Sequence, residues 1–228
     1  FGPDCKAGSP EFDLFVNEVV SEMTVKAGQK CTAIRRIIAP RDLQGAVADA
    51  ISDQLDGIAI GDPALETTRM GALVSEAQRR DVLDKVEQLS SAAERVFGAT
   101  DDFEVEGADP LRGAFLPPIL LNCDMPHESA VIHEVEAFGP VSTLMPYDGI
   151  EDAIVLANRG QGSLVASVFT QDPGLAADFA YGAASYHGRL LFVNRENANS
   201  HTGHGSPLPH LLHGGPGRAG GGEEMGGI

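Results

Sequence analysis

Cys31 is the residue whose setting best fits reaction chemistry. It sits in Ala27-Gly28-Gln29-Lys30-Cys31-Thr32-Ala33, a Gly-containing stretch that reads as a loop between a helix and a strand. A thiol held at such a turn is open to substrate, and the flanking backbone N–H groups can stabilise an oxyanion. Lys30, Arg35 and Arg36 are close in sequence and could favour the thiolate, the nucleophilic form. A competing reading stays open on these residues alone, because an unpaired cysteine is commonly a small buried hydrophobe. Cys5 and Cys123 lack any comparable setting and read as structural.

Other signals carry less. Gly215-Pro216-Gly217-Arg218-Ala219-Gly220 fits a dinucleotide-binding fingerprint by letters. No strand is expected before it, and no acidic residue follows about twenty positions on, so it reads as a glycine-rich loop. His201, His204, His210 and His213 are separated by glycine and proline, which impose no helical face, and no metal site is expected from them. Lining of a substrate entrance is the role that would suit them. No GxSxG elbow and no HExxH pair occurs. Three cysteines without a CxxC pair make neither a disulfide framework nor a zinc-finger pattern, and a reducing cytoplasm is the natural setting.

Those residues need elements to position them. Phe12, Phe15, Val16, Val19, Val20 and Met23 recur at helical spacing after Ser9-Pro10. Gly28 stops that helix, and 33–38 reads as a strand closed by Pro40. Leu43, Val47, Ala50, Ile51 and Leu55 mark a second helix. A third is expected from Glu76 to Val96, with Val82, Val86, Leu89 and Ala93 on one face. The acidic stretch 97–112 reads as a solvated loop or hairpin. Strands are expected at 116–121, 141–146, 165–170 and 190–193, and helices at 150–158 and 172–185. Strands alternating with helices predict an α/β fold, three-layer αβα with a mainly parallel sheet. From His201 onward the chain reads as an ordered but irregular Gly/Pro/His-rich tail.

With 228 residues the chain can form one large domain or two small ones. Its net charge of −17 excludes a phosphate-binding surface of clustered Lys and Arg, hence nucleic acid. Apolar runs are too short and interrupted to span a bilayer, and residues 1–9 lack the pattern of a signal peptide. The absence of an initiator methionine and the glycine-rich ending lead us to expect a piece of a longer chain.

Several segments, taken in order, resemble the aldehyde dehydrogenase superfamily. Gly28-Gln29-Lys30-Cys31 is similar to the Gly-Gln-x-Cys signature that ends in the nucleophile. Gly61-Asp62-Pro63 and Met70-Gly71-Ala72-Leu73 look like the family's Gly-Asn-Pro and Met-Gly-Pro-Leu segments. Gly113-Ala114-Phe115-Leu116-Pro117-Pro118 resembles its Gly-Tyr-Phe-x-x-Pro strand, and Glu136-Ala137-Phe138-Gly139-Pro140-Val141 its Glu-x-Phe-Gly-Pro-Val motif. Residues 153–158 and 164–170 match the helix and strand that come next. The tail departs from the common Pro-Phe-Gly-Gly ending. Together with the stretch from Val25 to Arg36, it resembles the semialdehyde dehydrogenases of phenylacetate and benzoyl-CoA degradation.

The resemblance implies a catalytic domain over residues 1–228, with Cys31 as nucleophile passing through a thiohemiacetal and a thioester. It implies Glu136 on the hydroxyls of the nicotinamide ribose, Phe138 beside the nicotinamide ring, NADP or NAD as cofactor, and a small-molecule aldehyde, a CoA thioester, as substrate. It further implies a cytoplasmic homo-oligomeric parent protein whose cofactor-binding domain, water-activating glutamate and oxyanion-hole asparagine lie outside this chain, so that the chain alone is expected to be inactive. Two other classes stay in view: a cysteine thioesterase or hydrolase, which would need a histidine partner for Cys31, and a non-catalytic interaction domain.

Overall fold

A computed structural model describes residues 1–205 and 213–222. The chain divides into two compact units. One comprises 1–18, 38–43 and 146–228, the other 19–37 and 44–145.

Helix α1 (Pro10–Thr24) begins where Ser9 Oγ accepts a hydrogen bond from Phe12 N and Pro10 supplies a preset φ. Its apolar stripe, from Phe12 through Met23, is buried as its spacing predicts. Strand β1 (Arg36–Pro40) follows, and both it and β4 have residues in each unit.

In the second unit, α2 (Gln44–Asp56) buries Val47, Ile51 and Leu55. Helix α3 (Glu76–Leu89) is capped by Ser75, whose side chain accepts from Gln78 N, and buries Val82, Val86 and Leu89. The expected continuation of α3 to Val96 does not occur. Ser90 Oγ and Ser91 Oγ donate to the carbonyls of Val86 and Gln88, so side chains take up the acceptors of the last turn and the helix ends. Residues Glu94–Phe97 form strand β2 instead. Its side chains are largely exposed, as suits an edge strand. It pairs antiparallel with β3 (Ile119–Asn122), with a register shift between Arg95 and Phe97.

Strand β3 pairs in parallel with β4 (Val141–Tyr147), and the four-stranded sheet has the order β1-β4-β3-β2. Ile119, Leu120, Leu121 and Leu144 have no measurable exposure, which makes these two strands the centre of the core. A short helix α4 (Val131–Glu134), not foreseen in the sequence, precedes β4. The acidic stretch is mainly irregular, as expected, though Glu106 bridges to Gly61.

In the first unit, α5 (Ile150–Asn158) and α6 (Pro173–Ala183) accompany the parallel pair β5 (Ser163–Phe169) and β6 (His187–Val193). Asp172 caps α6 by accepting from Gly174 N and Leu175 N. Ala157, Val168, Phe179 and Ala183 form a core cluster there. The observed class is α/β, as predicted, with parallel pairing in β3–β4 and β5–β6.

The tail is more regular than expected. His213–Gly214 (β7) pairs antiparallel with Gly221–Gly222 (β8), and Gly217–Ala219 turns between them. A Cβ placed on Gly162, Gly188 or Gly215 would collide with the carbonyl of Pro216, Gly214 or Ser163 respectively. Glycine is required there for main chain to lie on main chain. Residues 206–212 and 223–228, including His210, lie outside the described residues. No helix among the described residues is long and apolar enough to cross a membrane.

Candidate active site

The second unit assembles the segment that bears Cys31. Helix α1 runs into a turn, Val25–Gly28, in which Lys26, Ala27 and Gly28 have φ of 55°, 51° and 65°. Left-handed backbone at two non-glycine residues costs on the order of 1–3 kcal/mol each and persists only where the surroundings enforce it. Here Gln29 N and Gln29 Nε2 both donate to the Lys26 carbonyl, at 3.1 and 3.0 Å. Lys30 N donates to the Gly28 carbonyl at 2.9 Å. At Gly28 any side chain would run into the carbonyl of Gly139, so the turn is pressed against the segment that follows Phe138.

Cys31 emerges from this turn with its side chain exposed, while Cys5 and Cys123 are buried. Burial pushes the Cys5 thiol up to about 12 and raises that of Cys123 as well. The two buried thiols are therefore held in the unreactive protonated form. Among the three, the exposed one lies in the segment singled out from the sequence.

Each of the three nearby cations has a partner besides the thiol. Lys30 Nζ donates to both carboxylate oxygens of Glu22 on α1, at 2.7 and 2.8 Å. Arg36 Nη1 lies 3.4 Å from Nδ1 of the buried His133. Arg35 turns its guanidinium inward: Nη1 donates to the Gly139 carbonyl at 2.5 Å, and Nη2 donates to the carbonyls of Gly28 at 2.6 Å and Lys30 at 3.3 Å. Lys30 and Arg35 thus hold the loop that carries Cys31.

Glu136 and Phe138 meet the same guanidinium. Glu136 Oε1 lies 3.6 Å from Arg35 Nε, an ion pair beyond hydrogen-bond length. The Arg35 guanidinium carbon lies 5.4 Å from the centre of the Phe138 ring, within cation–π range. The Arg35 side chain is 16% exposed and that of Glu136 54%. Burial lowers the Arg35 pKa and the Glu136 charge opposes the shift; an arginine so placed remains a cation. The Glu136 side chain is therefore half exposed beside the inward-turned guanidinium.

Side-chain amides tie the remaining motif segments to these two. Gln29 Oε1 accepts from Val74 N at 3.0 Å, joining Gly-Gln-x-Cys to the segment that opens α3. Gln78 Nε2 donates to the Phe138 carbonyl at 2.9 Å. Arg79 Nε donates to the Phe115 carbonyl at 2.8 Å, and Leu73 N to that of Ala114 at 2.9 Å. Segments spread over more than a hundred residues converge because main-chain carbonyls of one are read by side chains of another. Neither the linking role of Arg35 nor that of the two glutamines was anticipated. A signal existed for Arg35: two arginines in succession within an extended run must point to opposite sides, so one had to be carried inward.

Three of the tail histidines are among the described residues. His204 Nδ1 lies 2.7 Å from Ser167 Oγ, and its N–H donates to Glu18. His201 Nδ1 accepts from Gly203 N, and His213 belongs to β7. Among the described residues no group of three His, Cys, Asp or Glu is placed to hold a metal. The Gly215–Gly220 stretch forms the β7–β8 turn rather than a strand-turn-helix.

A model described as the aldehyde dehydrogenase family matches residues 8–226. The 3,4-dehydroadipyl-CoA semialdehyde dehydrogenase of Aromatoleum evansii is 48% identical over 215 residues, covering 94% of this chain and 42% of that protein. Protein MaoC of Klebsiella aerogenes is 49% identical over 160 residues, covering 70% of this chain and 46% of that protein. The chain thus spans less than half the length of these curated relatives. Among solved structures, a mutant aldehyde dehydrogenase C of Pseudomonas syringae in complex with NAD+ and octanal superposes with a TM-score of 0.78 at 27% identity, covering 99% of this chain and 42% of that one.

Proposed function

Since the chain belongs to the aldehyde dehydrogenase family, we propose that it is the cysteine-bearing catalytic part of an enzyme that oxidises a CoA-linked semialdehyde to the acid with NADP or NAD. The observation that carries this reading is the single guanidinium of Arg35, which joins the loop before Cys31 to the motif of Glu136 and Phe138. The name of the 3,4-dehydroadipyl-CoA semialdehyde dehydrogenase relative supports the substrate class. The NAD+ bound to aldehyde dehydrogenase C supports the nicotinamide cofactor.

In this reading Cys31 Sγ attacks the aldehyde carbon as thiolate, and the carbonyl π pair moves to oxygen, giving a thiohemiacetal. The oxyanion needs a donor, for which the Cys31 backbone N–H is the proposed group. A nicotinamide held by Glu136 and Phe138 would supply the hydride acceptor that this carbon needs. The resulting Cys31 thioester is then cleaved by water, returning the thiol and releasing the acid.

The residues present fit such a cofactor. Glu136 offers a half-exposed carboxylate paired with Arg35, which can accept from a ribose diol, and Phe138 offers a half-buried ring. The remaining functions, namely the cofactor-binding domain, the water-activating glutamate, the oxyanion-hole asparagine and the oligomer contacts, are assigned to the larger share of the protein's length, and the parent enzyme is placed in the cytoplasm. The chain alone is accordingly inactive.

Iodoacetamide at neutral pH with peptide mass spectrometry tests the assignment. Cys31 should be alkylated well ahead of Cys5 and Cys123, and faster than a small-molecule thiol. Equal rates at all three, or a protected Cys31, would remove it as nucleophile. NAD(P)H production by the chain alone would overturn the claim that it needs the rest of the protein.

A further inference from the structure

We propose that Arg35 is a positioning residue for the nucleophile: its planar fork fixes the Cys31 loop in its reactive conformation by bridging it to the segment that follows Phe138. The inference rests on the reading of Cys31 as nucleophile and adds to it a residue that touches neither substrate nor reacting atoms.

Three observations carry the inference. The Arg35 bonds go to main-chain carbonyls at both ends, Gly28 and Lys30 on one side and Gly139 on the other. A carbonyl-to-carbonyl bridge sets geometry, whereas a charge placed to favour a thiolate would point at the sulfur. Next, the bridged loop contains the left-handed residues Lys26, Ala27 and Gly28, a conformation that needs external support. Finally, the Lys30–Glu22 ion pair holds the same loop to α1 from within two residues of Gly28, so that Arg35 supplies the second anchor, directed toward the Glu136 motif. Lysine cannot substitute here, because a single ammonium group lacks the rigid fork needed to reach separate carbonyls at once.

The test compares Cys31 alkylation in the wild-type chain, Arg35→Met and Arg35→Lys at one neutral pH, with Cys5 and Cys123 as internal reporters of folding. Both variants are expected to slow alkylation of Cys31 about tenfold, equivalent to about 1.4 kcal/mol, while Cys5 and Cys123 stay protected. The lysine variant separates geometry from charge. Wild-type rates in Arg35→Lys would show that the cation, not the fork, matters and would overturn the proposal, as would wild-type rates in both variants. Should Arg35→Met expose Cys5 and Cys123 through misfolding, the milder Arg35→Lys decides on the same criterion. A wild-type Cys31 no faster than a small-molecule thiol would instead sink the functional reading on which the proposal rests.

Discussion

Glu11 and Arg195 stand 184 residues apart in sequence and meet in a two-pronged ion pair, with Arg195 Nε on Oε1 at 2.9 Å and Nη2 on Oε2 at 2.6 Å. Oε1 also accepts from Arg195 N at 3.0 Å and from Gln171 Nε2. The carboxylate lies at the first turn of α1 and is buried, so these partners replace its water.

The Arg195 hydrogen bonds hold the Glu11 carboxyl down to about 2 from an ordinary 4.5, against the opposing effect of burial. A carboxyl depressed in the folded state contributes stability that is complete above its unfolded value and is lost as pH falls toward its folded one. Urea midpoints are therefore expected to decline from about pH 5 downward through the window 4.5 to 2, and Glu11→Gln should flatten that decline. At neutral pH the same variant should lower stability by about 2 kcal/mol. An unchanged acid profile in Glu11→Gln would assign the decline to other carboxyls.

Gly28 lies hard against the Gly139 carbonyl in the loop before Cys31. Gly28→Ala adds a methyl group where φ is 65° and where the Gly139 carbonyl already fills the space. Loss of about 2–3 kcal/mol is expected by thermal or urea unfolding, together with altered alkylation of Cys31. Gly45 has open space around its Cβ position and lies inside α2, so Gly45→Ala should stabilise by up to about 1 kcal/mol and serves as the control.

Glu136→Gln keeps the shape of the side chain and removes its charge. If this carboxylate receives the ribose hydroxyls, the full-length enzyme should bind NAD(P) about tenfold more weakly, equivalent to about 1.4 kcal/mol. Titration calorimetry on wild type and variant measures the difference; equal affinities would remove Glu136 from the cofactor site.

The centre of the sheet offers a prediction about packing alone. Leu120 on β3 has no exposed surface, and Leu120→Ala should cost about 2–5 kcal/mol by lost transfer energy and the cavity left behind. A smaller loss would mean that β3 and β4 close the gap.

Much of this architecture could be read from the residues. The spacing of Phe12 to Met23 located α1, and 150–158 coincided with α5, because an amphipathic stripe is a local property. The end of α3 was misread because Ala93 continues the apolar face. Only the competition of the Ser90 and Ser91 hydroxyls for helix carbonyls ends the helix, and periodicity does not report it. The motifs around Cys31, Glu136 and Phe138 were legible as segments, and Arg35 meets both. The links made by Arg35, Gln29 and Gln78 were not, since each recognises a main-chain carbonyl or N–H, and such partners leave no residue type to search for.

The β7–β8 hairpin shows the same blindness in another form. Where Gly162, Gly188 and Gly215 stand, two peptide planes touch with nothing between them, so what is matched there is thickness. A joint of this kind works like a dovetail. It ignores the identity of side chains that point away from it and rejects any atom inserted into the seam. The turn between the two strands belongs to the same joint, since a Cβ at Gly217 would meet the Gln161 carbonyl, so a tag or reporter loop grafted anywhere into that hairpin should force the seam apart.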